Sequence, residues 1–234
     1  KAGDTLIGDD GANQIDGYTG NDTIRGAKGN DTLIGGAGDD RLDGGDGTDT
    51  ASFSGDMADY SVVVDVNSGI VTVTDKVSGR DGVDTLLGIE QLKFKNLSVT
   101  LSAGSVSISG TATQGQTLSA KVSDAVGVKG TVSYQWLADG VAIEGATSSS
   151  LVLAQAQVGK TITVRASYTN NDGVGEIVLS SATTAVVNVN DAPTGSVLIT
   201  GSVAQGSILT ASNSLSDLDG MGVVSYQWKA DGVA

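Results

Sequence analysis

The chain has 234 residues, of which 34 are glycine, one is proline, and none is histidine or cysteine. The lack of histidine and cysteine excludes disulfides, zinc sites built from these residues, and catalysis by a cysteine nucleophile or a Ser-His-Asp triad. The formal net charge of −14 argues against binding to nucleic acid or to an anionic membrane surface. The apolar runs in the sequence are too short for a membrane span.

The acidic residues are concentrated at the start of the chain. Residues 1–52 hold 13 of the 34 glycines and 11 of the 24 aspartates. Aspartate and glycine favour tight turns and sites for hard cations, and aspartate is a poor helix former. The composition therefore predicts a turn-rich, cation-binding segment in this part of the chain.

A nine-residue repeat organises residues 1–52. Written from Gly8, its five units read GDDGANQID, GYTGNDTIR, GAKGNDTLI, GGAGDDRLD and GGDGTDTAS. Glycine occupies positions 1 and 4 of every unit, and position 8 is always aliphatic. Position 6 is an aspartate or an asparagine, and the residues at this position are Asp4, Asn13, Asp22, Asp31, Asp40 and Asp49.

This pattern resembles the G-G-x-G-x-D-x-U-x repeat of the RTX (repeats-in-toxin) family, which forms a calcium-binding parallel β-roll. Glycine permits the positive φ of a tight turn, and the x-U-x triplet is a short strand with one inward side chain. Two nonapeptides make one coil, so each turn stacks on the next turn but one. The position-6 residues then form two columns, and adjacent pairs close up to four cation sites.

The resemblance also implies that backbone carbonyls at positions 1, 3 and 5 complete these sites. The position-1 residues are Gly8, Gly17, Gly26 and Gly35. The residues at positions 3 and 5 are Asp10, Thr19, Lys28, Ala37, Asn21, Asn30 and Asp39. An all-oxygen ligand set with several carbonyls favours Ca²⁺ over Mg²⁺. Without cations we expect disorder, because a few aliphatic side chains do not offset the conformational entropy of the segment.

Residues 53–97 predict a β cap for the roll. Within them, residues 60–74 show the apolar-polar alternation of strands on both sides of Asn67-Ser68-Gly69, which predicts a hairpin. Residues 81–94, DGVDTLLGIEQLKF, are similar to the stretch that follows RTX repeats in many secreted bacterial proteins. Since an open roll end exposes unpaired strand edges, capping is the main interpretation. An extra calcium site using Asp81 and Asp84 is the alternative.

A second, longer repeat fills the remainder of the chain. Residues 110–120 match residues 201–211 at an offset of 91, and residues 132–142 match residues 224–234 at an offset of 92. A unit of about 90 residues with short alternating strands predicts an antiparallel β-sandwich, with Trp136 in its core.

These units resemble the tandem bacterial Ig-like repeats of large RTX surface proteins. We expect one Ig-like sandwich over residues 98–190 and the start of a second, truncated one over residues 191–234. The expected fold of the whole chain is therefore all-β: a calcium-bound parallel β-roll over residues 1–52, a C-terminal β cap, and Ig-like antiparallel β-sandwich repeats.

No catalytic constellation is visible in the sequence, so we expect a non-enzymatic fragment. The predicted function is a calcium-induced folding and spacer module of a type I-secreted RTX protein, extracellular or on the cell surface of a bacterium. Its expected partners are Ca²⁺ and, by resemblance, the type I secretion machinery. One alternative is an adhesin stalk whose Ig-like units bind cell-surface or matrix ligands. The other is the carrier region of a secreted protease, lipase or haem peroxidase.

Overall fold

A computed structural model describes residues 2–233, and its regular secondary structure is almost entirely β-strand. The only helices among these residues are two single 3₁₀ turns, Met57–Asp59 and Gln155–Gln157. The all-β fold class predicted from the sequence is confirmed.

The nonapeptide repeats form two parallel sheets of short strands. Strands β1, β3 and β5 pair in one sheet, and β2, β4 and β6 pair in the other. Paired residues are 18 positions apart, as in Leu6 with Ile24 and Ile24 with Leu42. Each coil therefore contains two nonapeptides. The strands are β1 Thr5–Ile7, β2 Gln14–Asp16, β3 Thr23–Lys28, β4 Thr32–Ile34, β5 Arg41–Asp46 and β6 Thr50–Ser52.

One aliphatic side chain from each strand fills the space between the two sheets. Ile24, Leu33, Leu42 and Ala51 are fully buried in a single apolar cluster. Full burial of one large aliphatic side chain contributes about 1.5–3 kcal/mol. The repeat therefore places its aliphatic position in the core and its glycine and aspartate positions in the turns.

A hairpin follows the repeats. Strands β7, Tyr60–Asp65, and β8, Ile70–Asp75, pair antiparallel around a turn in which Gly69 has a φ of 71°. The predicted turn at Asn67-Ser68-Gly69 thus lies where the alternating pattern places it.

The chain then returns to the roll and adds one more coil. Strand β9, Val83–Leu87, pairs parallel with β5, and strand β10, Gln91–Lys93, pairs parallel with β6. Leu86 and Leu92 are fully buried in the same core as the repeat aliphatics. Strand β11, Ser98–Thr100, then pairs antiparallel with β10.

Two sheets pack around a second core in the next part of the chain. One sheet has the order β12, β13 and β16, and the other contains β14, β15, β17 and β18. Trp136 lies fully buried between them, and its indole N–H donates to the carbonyl of Ser148 at 2.8 Å. The strands are β12 Ser105–Ser109, β13 Thr117–Ser123, β14 Val128–Ala138, β15 Val141–Ala142, β16 Ser150–Val152, β17 Ile162–Asn170 and β18 Gly175–Leu179.

The roll and the sandwich share one continuous sheet. Strand β18 pairs parallel with β7 of the hairpin, with Gly175 opposite Val63. A ten-stranded sheet therefore runs from β1 of the roll to β15 of the sandwich.

A final hairpin repeats the start of the sandwich. Strand β19, Val197–Gly201, pairs antiparallel with β20, Leu209–Asn213. Ile199 lies opposite Ala211, as Ile108 lies opposite Ala120 one repeat earlier. The 91-residue offset in the sequence is thus reproduced in the strand register.

Candidate metal centre

The position-6 residues stack in two columns along the edges of the roll. In each column, the backbone N–H of one residue donates to a side-chain oxygen of the next residue in the column. In the first column, Asp4 donates to Asp22 Oδ1 at 2.6 Å, Asp22 to Asp40 Oδ1 at 2.7 Å, and Asp40 to Asp84 Oδ1 at 2.9 Å. In the second, Asn13 donates to Asp31 Oδ1 and Asp31 to Asp49 Oδ1, both at 2.7 Å, and Asp49 to Glu90 Oε2 at 2.8 Å.

The second carboxylate oxygen of the central aspartates has no such partner. Four residues share this property, and each is at most 3% exposed. Within the described part of the chain, the Oδ2 atoms without a hydrogen-bond partner at this position belong to Asp22, Asp31, Asp40 and Asp49. Burying an unpaired carboxylate oxygen costs free energy. A bound cation would supply the missing interaction.

Carbonyl oxygens of the glycine turns lie beside these unpaired oxygens. A Cβ added to Gly17 would lie 2.5 Å from Asp22 Oδ2 and 2.7 Å from the carbonyl oxygen of Gly35. At Gly26 the corresponding distances are 2.2 Å to Asp31 Oδ2 and 2.6 Å to the carbonyl oxygen of Gly44. Position 1 therefore requires glycine, because a methyl group would occupy the space into which these oxygens point.

The first turn repeats this arrangement with an amide in place of the carboxylate. A Cβ at Gly8 would lie 2.0 Å from Asn13 Oδ1 and 2.4 Å from the carbonyl oxygen of Gly26. The predicted position-1 residues Gly8, Gly17, Gly26 and Gly35 thus all lie next to a position-6 side chain.

Three of the four predicted position-3 residues, Thr19, Lys28 and Ala37, take part in parallel pairing between stacked turns. The N–H of Gly20 donates to the carbonyl of Ala37 at 2.9 Å, and Thr19 bridges to Ala37. A carbonyl oxygen has two lone pairs, so the Ala37 carbonyl retains one for a cation. The Lys28 ammonium lies 2.9 Å from Asp10 Oδ2, an exposed ion pair between stacked turns.

The side chains of the predicted position-5 residues form two further sets of hydrogen bonds, one on each edge of the roll. Asn21 Oδ1 accepts from the N–H of Asp39 at 3.2 Å, and Asp39 Oδ1 accepts from the N–H of Val83 at 2.9 Å. Asn30 Oδ1 accepts from the N–H of Thr48 at 3.0 Å. These bonds hold the turns in register, a role that the sequence analysis did not assign to them.

The electrostatics of the columns favour a bound cation. Burial is the main cause that raises the pKa values of Asp40 and Asp49, and it raises the pKa of Asp84 to about 8. Neighbouring carboxylates in the same column raise these pKa values further. Among residues 2–233 no three acidic side chains form a cluster that could hold a metal ion, and the oxygens that lie close together are side-chain oxygens of position 6 and carbonyl oxygens of position 1. This oxygen-only donor set fits Ca²⁺.

The stacked glycine turns and carboxylate columns define a parallel β-roll of the calcium-binding class. Residues 2–33 and 16–51 match the family model described as the RTX calcium-binding nonapeptide repeat, in four copies. The start of the chain is therefore a set of RTX calcium-binding repeats, as the nine-residue pattern predicts. No curated protein matches the chain. No helix within residues 2–233 has the length and apolar character needed to cross a membrane.

Two residues outside the nine-residue pattern also align with the columns and were not predicted as ligands. Glu90 lies beside Asp49, and the carbonyl of Gly88 lies where the carbonyls of Gly35 and Gly44 lie in earlier turns. A signal for this turn exists, because the triplet Asp84-Thr85-Leu86 repeats Asp31-Thr32-Leu33. It lies outside the nine-residue period, since the hairpin separates it from the repeats.

Proposed function

We propose that this chain is the calcium-induced folding and spacer region of an extracellular bacterial RTX protein, non-catalytic in itself and exported by type I secretion. The RTX repeats bind calcium through the position-6 side chains and the turn carbonyls at positions 1, 3 and 5. The observation that carries the proposal is the set of four buried Oδ2 atoms without a hydrogen-bond partner, two in each column.

The mechanism follows from the free calcium concentration on the two sides of the cell envelope. Calcium sites of extracellular modules typically have dissociation constants of about 10⁻⁴–10⁻³ M, far above cytosolic free calcium. In the cytosol the acidic columns therefore lack cations. Repulsion between neighbouring carboxylates, together with the cost of burying carboxylate oxygens without a partner, then opposes folding. Outside the cell, binding free energy becomes folding free energy.

The spacer role is supported by the continuous sheet. Backbone pairing between β18 and β7 ties the sandwich to the roll, and the N–H of Val66 adds a bond to the carbonyl of Ile177 at 3.0 Å. A folded roll therefore projects the sandwich in a fixed direction. We also propose the predicted division into domains, which is a roll over 1–52, a cap over 53–97 and Ig-like units over 98–190 and 191–234. The two separate apolar cores, one shared by the roll and cap and one around Trp136, support the boundary between the cap and the first Ig-like unit.

Far-UV circular dichroism of the full chain during a calcium titration tests this function. We expect strand signal to increase cooperatively with Ca²⁺ and to remain unchanged when Mg²⁺ is added at the same concentration. A spectrum that is the same in chelator and in millimolar Ca²⁺ would overturn the proposal.

A further inference from the structure

The roll is one coil longer than its nonapeptide repeats. The spacing between stacked acids is 18 residues within the repeats but 44 residues between Asp40 and Asp84. The intervening hairpin loops out of the roll, and β9 and β10 then continue both sheets in parallel register. Residues 82–90 therefore occupy the place of the next two nonapeptide turns.

On one edge, this turn reproduces the oxygen arrangement of the repeats. A Cβ at Gly44 would lie 2.1 Å from the carbonyl oxygen of Gly88 and 2.5 Å from Asp49 Oδ2. Asp49 is 0% exposed, and its Oδ2 atom has no hydrogen-bond partner. Glu90 stacks on it as the next acid of the column, with Oε2 bonded to the Asp49 N–H.

On the other edge, Asp84 stacks on Asp40. Asp40 is 3% exposed with an unpaired Oδ2 atom, and Asp84 is 2% exposed. A cavity of about 250 Å³ lies here, lined by Asp84 and by residues of two turns, including Gly35, Gly36 and Ser52. It opens where the chain leaves the roll toward the hairpin.

Asp81, which also lines this cavity, is already engaged. Its carboxylate accepts hydrogen bonds from the N–H and hydroxyl of Ser54, both at 2.8 Å, and from the Tyr60 hydroxyl. Asp81 thus joins the segment that follows the hairpin to Ser54 and Tyr60 at its start. Of the two acids considered in the sequence, Asp84 is therefore the one available to a cation.

We propose that residues 82–90 form a metal-binding turn, in which Asp84 joins Asp40 on one edge and Glu90 and the Gly88 carbonyl join Asp49 on the other to bind Ca²⁺. The inference rests on calcium binding by the repeats and extends it beyond them. Its consequence is a latch: cations at these sites connect the repeats to the chain on the far side of the hairpin. The hairpin pairs with both β9 and β18, so calcium also fixes the sandwich to the roll.

Two variants of the full chain, Asp84→Asn and Glu90→Gln, test the latch. Native mass spectrometry measures how many Ca²⁺ ions each variant and the wild type bind. Both substitutions keep a side-chain oxygen that accepts the stacked N–H while they remove a charge. We expect each variant to bind one fewer Ca²⁺ than the wild type and to show a smaller calcium-dependent rise in unfolding temperature. In chelator both variants should behave as the wild type does, because the roll requires calcium to fold and neither side chain then lies in a folded column.

The matched controls make the same chemical changes at exposed sites. Asp56→Asn lies in the same insertion, Glu144→Gln lies in the sandwich, and both should keep the wild-type stoichiometry. Wild-type stoichiometry and calcium response in both test variants would overturn the latch and leave the repeat sites intact. A wild-type chain that binds no calcium would instead overturn the proposed function. A variant that unfolds at a lower temperature in calcium but keeps the wild-type stoichiometry would assign the residue a structural role and overturn its role as a ligand.

Discussion

Each central aspartate of the columns uses its two carboxylate oxygens differently. In Asp22, Oδ1 accepts the N–H of Asp4 and so fixes the stacking of one coil on the next, while Oδ2 is buried without a hydrogen-bond partner. The first oxygen sets the position of the second. This division explains why aspartate suits position 6: its short side chain reaches the adjacent N–H and still presents an oxygen to the glycine turn.

The close approach at position 1 predicts the effect of a single methyl group. In Gly26→Ala, the new Cβ would lie 2.2 Å from Asp31 Oδ2 and 2.6 Å from the Gly44 carbonyl oxygen. We expect this variant to lower the free energy of unfolding of the calcium-bound chain by about 1–3 kcal/mol. Chemical denaturation in Ca²⁺ measures the change.

Gly11→Ala is the matched control, because the nearest atom to its Cβ is a flexible Asp9 side-chain oxygen at 3.3 Å. It should retain calcium-dependent stability close to that of the wild type. Equal losses in the two variants would contradict a specific role for the position-1 glycine.

The strands of the roll are too short to be stable individually. Several have only three residues and contribute one inward side chain each, so the stability of the roll is the sum of contacts between neighbouring turns. Leu42, for example, lies between Ile24 of the preceding coil and Leu86 of the following one. A defect in one strand therefore weakens two interfaces.

We accordingly expect Leu42→Ala to cost about 2–5 kcal/mol of unfolding free energy in calcium. Ile7→Ala removes an aliphatic side chain that is 68% exposed in β1 and should change stability by less than about 0.5 kcal/mol. Thermal unfolding of both variants in calcium compares the two costs. A Leu42→Ala chain as stable as Ile7→Ala would show that the inter-sheet core does not hold the roll together.

The predictable elements are those that local pattern determines. The invariant glycines and the aliphatic position fix the coil length, and the alternation around Asn67-Ser68-Gly69 fixes the hairpin. The pairing of β7 with β18 could not be predicted, because it joins segments more than 100 residues apart through backbone bonds that carry no sequence signature. Asp84 was considered as a calcium ligand, but the continuation of the roll by residues 82–90 was not predicted, because an insertion separates Asp84 from the period that aligns Asp22 with Asp40.

At the scale of the whole molecule, the roll and the sandwich differ in what stabilises them. The sandwich has a core of its own around Trp136, whereas the roll receives one inward aliphatic side chain from each short strand and carries two columns of acids. Between them, the buried carboxylate of Glu176 accepts the N–H of Gly104 at 2.7 Å and the hydroxyl of Tyr168 at 2.9 Å. Burial raises the pKa of this carboxyl. Because the sandwich has its own apolar core, it should fold without calcium, whereas the roll should require calcium.

Hydrogen exchange of the full chain, resolved by peptide in chelator and in millimolar calcium, tests this difference most directly. We expect peptides from residues 2–52 to exchange freely in chelator and to become protected in calcium, whereas peptides from residues 105–187 should be protected in both. Protection of the repeat peptides in chelator equal to that in calcium would contradict the claim that calcium folds the roll.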